Sequence, residues 1–462
     1  MSLSVVPMTE RPPTPAWLTE WAAFAANVRW EDLPPAVTER AVQVMYDSVG
    51  AIAAGAQEPE TRALADRLAP AGDGGVAPVI GTHRHAPAAT AALLNGVAGT
   101  MLELDEGNQY SRGHPGIHVV PAILAYASTH AVSGRDLLLA LALGYEIGAR
   151  IGIASKLRVT MHPHGTWGTV GAAVAVARLA GATAEQMVEV INVSSTLGLA
   201  TSRRTMLEGG TVRNTFAGWS NQIGLTVWDL VASGFTGEAD GLATIFGTVA
   251  ADDWTPAAMT EDLGTRWEIA RNYFKRHACC RYNHAALDAL EKIKAELGTA
   301  LRAEDVDAIE VDTYIWAAQL AGPAPHNTLA AKFSLPYSLA THIVHGAASV
   351  EAFRAEALTN ETTRALARRV TLRESKEYTA MLPALRPARV TVKLKDGRTL
   401  SAESLTNRGD TEDPYTTADV EAKFLALATP VWGDTHAQTL LRATQQLPAQ
   451  ADLVDYLALL AR

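Results

Sequence analysis

The stretch ARVTVKLKDGRTLSAESL, residues 388–405, alternates apolar and polar side chains on both sides of Asp396-Gly397. Period-two alternation suits a half-buried strand, and an Asp-Gly pair accepts the positive φ of a tight turn, so this stretch predicts a β-hairpin. VDAIEVDTY (306–314) alternates in the same way, and RRVTLRES from Arg368 predicts a further strand. The rest of the chain reads differently. From about Pro15 to Gly247 the apolar period is helical almost throughout. PPAVTERAVQVMYDSVGAIAAGA (34–56) opens on proline, and Ser133 stands as N-cap before LLLALALGYEIGARIGIA. GTVGAAVAVARLAGA and AEQMVEVINVSSTLGLA continue in small residues that let helices approach closely. HAALDALEKIKAEL and PYSLATHIVHGA place helices among the strands, and helix returns after Asp419. The fold expected is mainly α. A large all-α helical domain is built from residues 1–271 and 408–462, with a smaller α+β domain inserted at 272–407.

At 462 residues the chain exceeds one simple core, which agrees with two domains. With 48% hydrophobic and 19% charged residues it has the composition of an ordinary soluble globular protein. A net charge of −10 argues against a nucleic-acid partner. Cys279 and Cys280 are adjacent, a poor arrangement for a structural disulfide, and two thiols do not supply an iron–sulfur cluster. Such cysteine usage fits a reducing cytoplasm. MSLSVVPMTERPPTPAW lacks the basic head and apolar core of a signal peptide, and the apolar runs meet a charge short of the roughly 20 residues that span a bilayer, so no membrane partner is expected.

Chemistry gathers in five short stretches at the starts of expected helices. LELDEGNQYSRGHPGIHVVPA (102–122) holds Asp105, Arg112 and His114. MHPHGTWGTVGAA holds His162 and His164. GGTVRNTFAGWSNQIGL holds Arg213. FKRHACCRYNHAALDAL holds Lys275, Cys280 and His284, and AAKFSLPYSLA holds Lys332 and Tyr337. Helix N-termini offer unpaired N–H groups and a positive dipole end, which suit carboxylates. With the cations and the histidines added, these stretches suggest a pocket for a small polyanion in which imidazoles move protons. Each residue also has a structural reading: a turn histidine, a surface ion pair, a core tyrosine, a buried apolar cysteine. Glu103 and Glu106 take no role beyond structural charge. His114-x3-His118 and His162-x-His164 have metal-like spacings, but no HExxH or paired-cysteine frame accompanies them, so no metal is expected. No GxGxxG follows a strand, which removes dinucleotide binding.

In this order, LELDEG…GHPG…VPA, HPHGTWGTVGAA, KRHACCRYNHAALDA and AKFSLPY resemble the MmgE/PrpD family over nearly the whole chain. That family includes 2-methylcitrate dehydratase, cis-aconitate decarboxylase and iminodisuccinate epimerase. The resemblance implies a large all-α domain with a smaller α+β lid domain, a homodimer, no organic or metal cofactor, and a di- or tricarboxylate substrate. It places Asp105, His114, His162, Lys275 and Tyr337 in catalytic positions, and Arg112, Arg213 and Cys280 against the substrate. Arg213 stands where many members have lysine, and Cys280 where the decarboxylase branch has histidine. Arginine grips a carboxylate bidentately but is a poor proton donor. The loss of an imidazole at 280 lowers the decarboxylase reading. The Arg112–Pro115 run and the eight residues between Asp105 and His114 are closer to the epimerase branch. The expected activity is therefore, first, a cofactor-independent lyase that takes a proton alpha to a carboxylate and eliminates water, as in 2-methylcitrate dehydratase. Epimerisation of a dicarboxylate follows, then decarboxylation of a cis-aconitate-like acid, then a non-catalytic carboxylate binder.

Overall fold

A computed structural model of the protein describes residues 11–461 other than 71 and 73. The expectation about a leader at residues 1–10 lies outside the described residues. The chain is dominated by helix. The helices that build the site are α1 (Pro35–Gly55), α2 (Ala88–Thr100), α3 (Val120–Ala127), α4 (Gly134–Ala154), α5 (Gly168–Leu179), α6 (Ala184–Ser195) and α7 (Phe216–Ala232). Proline opens α1, where a missing N–H costs nothing, and the Ser133 hydroxyl accepts the Asp136 N–H at the start of α4. Helix α4 is long and apolar enough to cross a membrane, with a mean hydropathy of 1.6, yet 94% of that window is buried among other helices of the chain. It is the central core helix.

Later in the chain come α8 (His284–Leu297), β1 (Val306–Thr313), α9 (Leu335–His345), β2 (Val370–Glu374), β3 (Ala388–Leu394), β4 (Thr399–Ser404) and α10 (Thr417–Trp432). The four strands form one sheet in the order β4-β3-β1-β2. β3 and β4 are the expected hairpin, with Lys393 opposite Thr399 and Gly397 at φ +91° in the turn. β1 runs antiparallel to β3 and parallel to β2.

Two large hydrophobic clusters result, beside a small third one around Ala65, Val79 and Leu94. One gathers helices from both ends of the chain, from Leu18 to Phe274 and again from Val420 to Leu460. The other surrounds the sheet, from Ala278 to Leu394, and also takes in Leu102, Leu104, Met206 and Leu427. The loop between α2 and α3 therefore lies at the seam. Its leucines at 102 and 104 pack with the sheet-bearing cluster, while Ile117 and Val119 pack with the helical one.

One departure from the sequence reading positions that loop. The helical stretch before 247 is interrupted by short antiparallel pairs, among them Gly107–Asn108 with Asn272–Tyr273. Two residues are too few to show a period, so such staples leave no pattern in the sequence. The expected small-residue packing is seen at α2 against α7. A Cβ on Gly96 would lie 2.6 Å from the Cα of Gly218. Backbone cannot yield as a flexible side chain can, so Gly96→Ala is expected to destabilise the protein by about 1–3 kcal/mol, read as a lower denaturant midpoint at unchanged slope.

Candidate active site

The α2–α3 loop is almost entirely buried, so its polar groups need internal partners. Asn108 closes its turn by accepting the Ser111 N–H at 2.9 Å and donating to the Glu268 carbonyl. Glu106 accepts the Gly116 N–H at 2.7 Å and the Tyr145 hydroxyl at 2.8 Å, and burial pushes its carboxyl up to about 8. Its own carbonyl accepts from His114 Nδ1 at 2.7 Å, and Asp105 Oδ2 lies 3.1 Å from the same nitrogen. A carbonyl can only accept, so Nδ1 carries the proton and Nε2 keeps its lone pair. Two residues of this loop, Glu103 (φ 55°) and Arg112 (φ 59°), hold left-handed backbone without being glycine. Such conformations persist only where the surroundings over-determine them.

His118 is a support. Its Nδ1 donates to the His114 carbonyl and its Nε2 accepts the Gly165 N–H at 3.1 Å, which fixes the second loop, 161–167, against the first. Gly168 is required beneath it, since a Cβ there would lie 2.3 Å from the His118 ring. In the second loop His162 Nδ1 accepts the His164 N–H at 3.1 Å, which places the ring proton of His162 on Nε2. Arg213 Nη2 lies 3.4 Å from His164 Nε2, so His164 is the Nδ1–H tautomer, and that buried N–H has no partner among the described residues. The rings of His114 and His164 are 4.5 Å apart. Burial, the largest cause, holds His114, His162 and His164 well below the usual histidine range, and Arg213 lowers all three further, so they are neutral at pH 7.

Arg213, just before α7, forms a buried ion pair with Glu103 and lies over the Phe333 ring. Lys275 Nζ sits 3.6 Å from Glu103 and 3.5 Å from Asp105, with no exposure. A narrow cavity opens beside these groups. Its wall includes Glu103, His114, His162, His164, Arg213 and Cys280, and also Arg112, Arg203, Tyr282 and Arg386. Burial pushes the Cys280 thiol up to about 11, so it is a neutral wall group and a poor nucleophile.

The structure thus brings His114, His162, Arg112, Arg213 and Cys280 onto one cavity and puts Asp105 directly behind His114. Two expected residues lie elsewhere. Tyr337 is wholly buried in the sheet-bearing cluster, and its hydroxyl donates to the Ala352 carbonyl at 3.4 Å, so it is no donor to a ligand in this cavity. It occupies the third position after the Ser334 cap of α9, on the inward face. Lys275 stands behind Glu103 and Asp105, off the cavity wall, where it holds the two carboxylates. The expectation for Glu103 is also corrected: it lines the cavity and neutralises both cations. Arg203, Tyr282 and Arg386 line the cavity with no signal in the sequence, and His164, read there only as a neighbour of His162, joins them. The HPH spacing is the available signal for His164; arginines outside any motif carry none.

Asp105, His114 and His164 have donor atoms within 4.8 Å of one another. They suit a divalent cation poorly, because Lys275 lies 3.5 Å from Asp105 and Arg213 lies 3.4 Å from His164, and His114 Nδ1 is already committed.

Two family models match the chain: MmgE/PrpD N-terminal domain over residues 19–252 and MmgE/PrpD C-terminal domain over residues 277–448. Among similar proteins, a cis-aconitate decarboxylase-like protein of Aspergillus oryzae is 24% identical over 98% of this chain and 99% of its own length. A cis-aconitate decarboxylase of Aspergillus terreus is 24% identical, covering 96% of this chain and 95% of its own. The Homo sapiens cis-aconitate decarboxylase is 24% identical over 78% of this chain and 77% of its own.

The buried titratable groups give stability a two-sided pH dependence. Glu106 rises from 4.5 to about 8 on folding, so its contribution is present below 4.5 and lost as pH climbs through 8. The histidines have folded values below 6.5, so theirs is present above 6.5 and lost as pH falls. Melting temperature measured from pH 5 to 9 is expected to fall on both sides of neutrality, and Glu106→Gln to flatten the alkaline fall and steepen the acid one.

Proposed function

The chain belongs to the MmgE/PrpD family, and we propose that it is a lyase that removes a proton next to a carboxylate and eliminates water from a hydroxylated di- or tricarboxylate. The observation that carries this reading is the state of His114. It is neutral, its proton is fixed on Nδ1 by the Glu106 carbonyl, and Asp105 stands 3.1 Å behind it. That leaves Nε2 as a base on the cavity wall, backed by a carboxylate that stabilises the imidazolium once it forms.

In the step proposed, Nε2 takes the proton from the carbon next to a substrate carboxylate, and the electron pair spreads onto that carboxylate. Arg213 and the Nε2–H of His162 stabilise the developing negative charge. The pair then forms the double bond as the hydroxyl on the neighbouring carbon leaves, and the His114 imidazolium returns its proton to that hydroxyl. Water and an unsaturated acid are released, and the enzyme regains its starting state.

Decarboxylation is the second reading, favoured by the names of the similar proteins. It requires a proton to be delivered to carbon after CO2 departs. A histidine held neutral by burial is ready to accept a proton rather than deliver one, and for that reason elimination is placed first.

Incubation with a panel of hydroxylated and unsaturated di- and tricarboxylates in D2O, followed by NMR, separates these readings. A new alkene with loss of the hydroxylated acid is expected, and His114→Ala is expected to slow it by about 10²–10⁴-fold. Release of CO2 without dehydration would move the assignment to decarboxylation. Deuterium exchange with inversion and no alkene would move it to epimerisation, and a panel left unchanged would sink the lyase reading. Asp105→Asn is expected to lower kcat with little change in KM, because it acts through His114 rather than on the substrate.

A further inference from the structure

Of the cationic groups around the cavity, several are already matched. Arg213 pairs with Glu103, Lys275 with Glu103 and Asp105, and Arg281 with Asp410. Cations neutralised this closely have little net charge left to anchor a second carboxylate, although Arg213 Nε has no partner among the described residues and can still donate to charge that develops in the reaction. The unmatched positive charge lies on three other arginines. Arg112, Arg203 and Arg386 all line the cavity, and none has a carboxylate within 4.0 Å among the described residues.

Each is held by something other than an anion. Arg112 Nη2 donates to the Gly152 and Ser155 carbonyls, and its backbone is left-handed. Arg386 is 2% exposed. Its Nη2 donates to the Gln109 carbonyl at 2.6 Å, its guanidinium lies over the Tyr282 ring at 5.5 Å, and its Nε has no partner. Arg203 is half-buried, and its guanidinium makes no hydrogen bond among the described residues. The three are close enough to repel one another: Arg112 is lowered by burial first, and then by Arg386 and Arg203. Arg112, Arg203 and Tyr282 also line a second cleft that runs outward past Trp316.

A buried guanidinium with no anion, beside two others, is costly unless a ligand supplies the charge. We propose that Arg112, Arg203 and Arg386 together bind a carboxylate of the substrate remote from the reacting carbon, so that the cavity selects acids with at least one carboxylate beyond the one next to His114. The proposal rests on the lyase reading for what reacts, and is independent of it for what binds. Arg203 and Arg386 are specificity-determining residues; neither handles the proton. Arg386 joins from the stretch just before β3 and closes the site from the sheet-bearing side.

Calorimetric titration with tricarballylate, glutarate and butyrate tests this, using the full chain and its Arg203→Gln, Arg386→Gln and Arg386→Lys variants. Wild type is expected to bind tricarballylate at least about tenfold more tightly than glutarate and to bind butyrate least. Arg203→Gln and Arg386→Gln are expected each to cost about 10–100-fold for tricarballylate and under threefold for butyrate, with Arg386→Lys recovering part of the loss, since one charge-assisted hydrogen bond contributes roughly 1.5–3 kcal/mol. Arg203 is half-buried, so its variant keeps the test open if Arg386→Gln does not fold. Tricarballylate binding within twofold of wild type in the folded Gln variants overturns the proposal, as does a wild type without preference among the three acids. Turnover in the same preparations separates the two readings. Arginine-dependent binding with no reaction on any of the hydroxylated or unsaturated acids of the NMR panel sinks the lyase reading alone. Turnover with unchanged KM in the arginine variants sinks this inference alone.

Discussion

A carboxylate that is 1% exposed, Glu103, lies between two cations that are equally buried, Arg213 and Lys275. Taking such charges out of water costs several kcal/mol per ion, and only their mutual attraction offsets it, so none of the three can be lost without stranding the others. The partners come from distant parts of the chain, one just before α7 and one at the seam between the two hydrophobic clusters. A loop of about twenty residues is thereby pinned at both sides. Leu102 and Leu104 flank Glu103 and pack with the sheet-bearing cluster, which is why Glu103 accepts a left-handed backbone that a side chain ordinarily avoids. Asp105, two residues on, inherits its position from this clamp and shares Lys275 with it.

The chemistry of the histidines follows from backbone as much as from side chains. Burial and the neighbouring arginine keep all three imidazoles neutral. What differs among them is which nitrogen holds the proton. A carbonyl facing His114 Nδ1 makes Nε2 an acceptor, and an amide N–H facing His162 Nδ1 makes Nε2 a donor. Two residues of one type thus present opposite polarities to one cavity.

Much of this was legible in the sequence, and the failures are instructive. The hairpin at 388–405 declared itself because Asp396-Gly397 sits between two alternating runs, and α1 and α4 because caps and period agree. Asp105 and His114 were legible as a pair because one short loop carries both. Tyr337 was misplaced because sequence gives the helix but not the rotation that turns its third residue inward. Lys275 stands behind Glu103 and Asp105 rather than on the cavity wall, because sequence does not show that Glu103 turns inward. Arg203 and Arg386 were invisible for a different reason. Arg203, at the start of a five-residue helix, and Arg386, in a loop, look like surface in sequence, and only the fold shows that residues 183 positions apart line one cavity.

The bond from Arg386 to the Gln109 carbonyl joins two stretches of chain that are otherwise unrelated in sequence. One carries the groups that hold protons; the other, just ahead of β3, carries a guanidinium that reads the far end of a ligand. Descent can therefore act on them separately. Drift in the segment before β3 would touch only the share of Arg386 in reading the acid, whereas drift in the α2–α3 loop, which also carries Arg112 and the Gln109 carbonyl, would touch both the reading and the reaction. Divergence of diet ahead of divergence of chemistry is the evolutionary course this architecture makes easy.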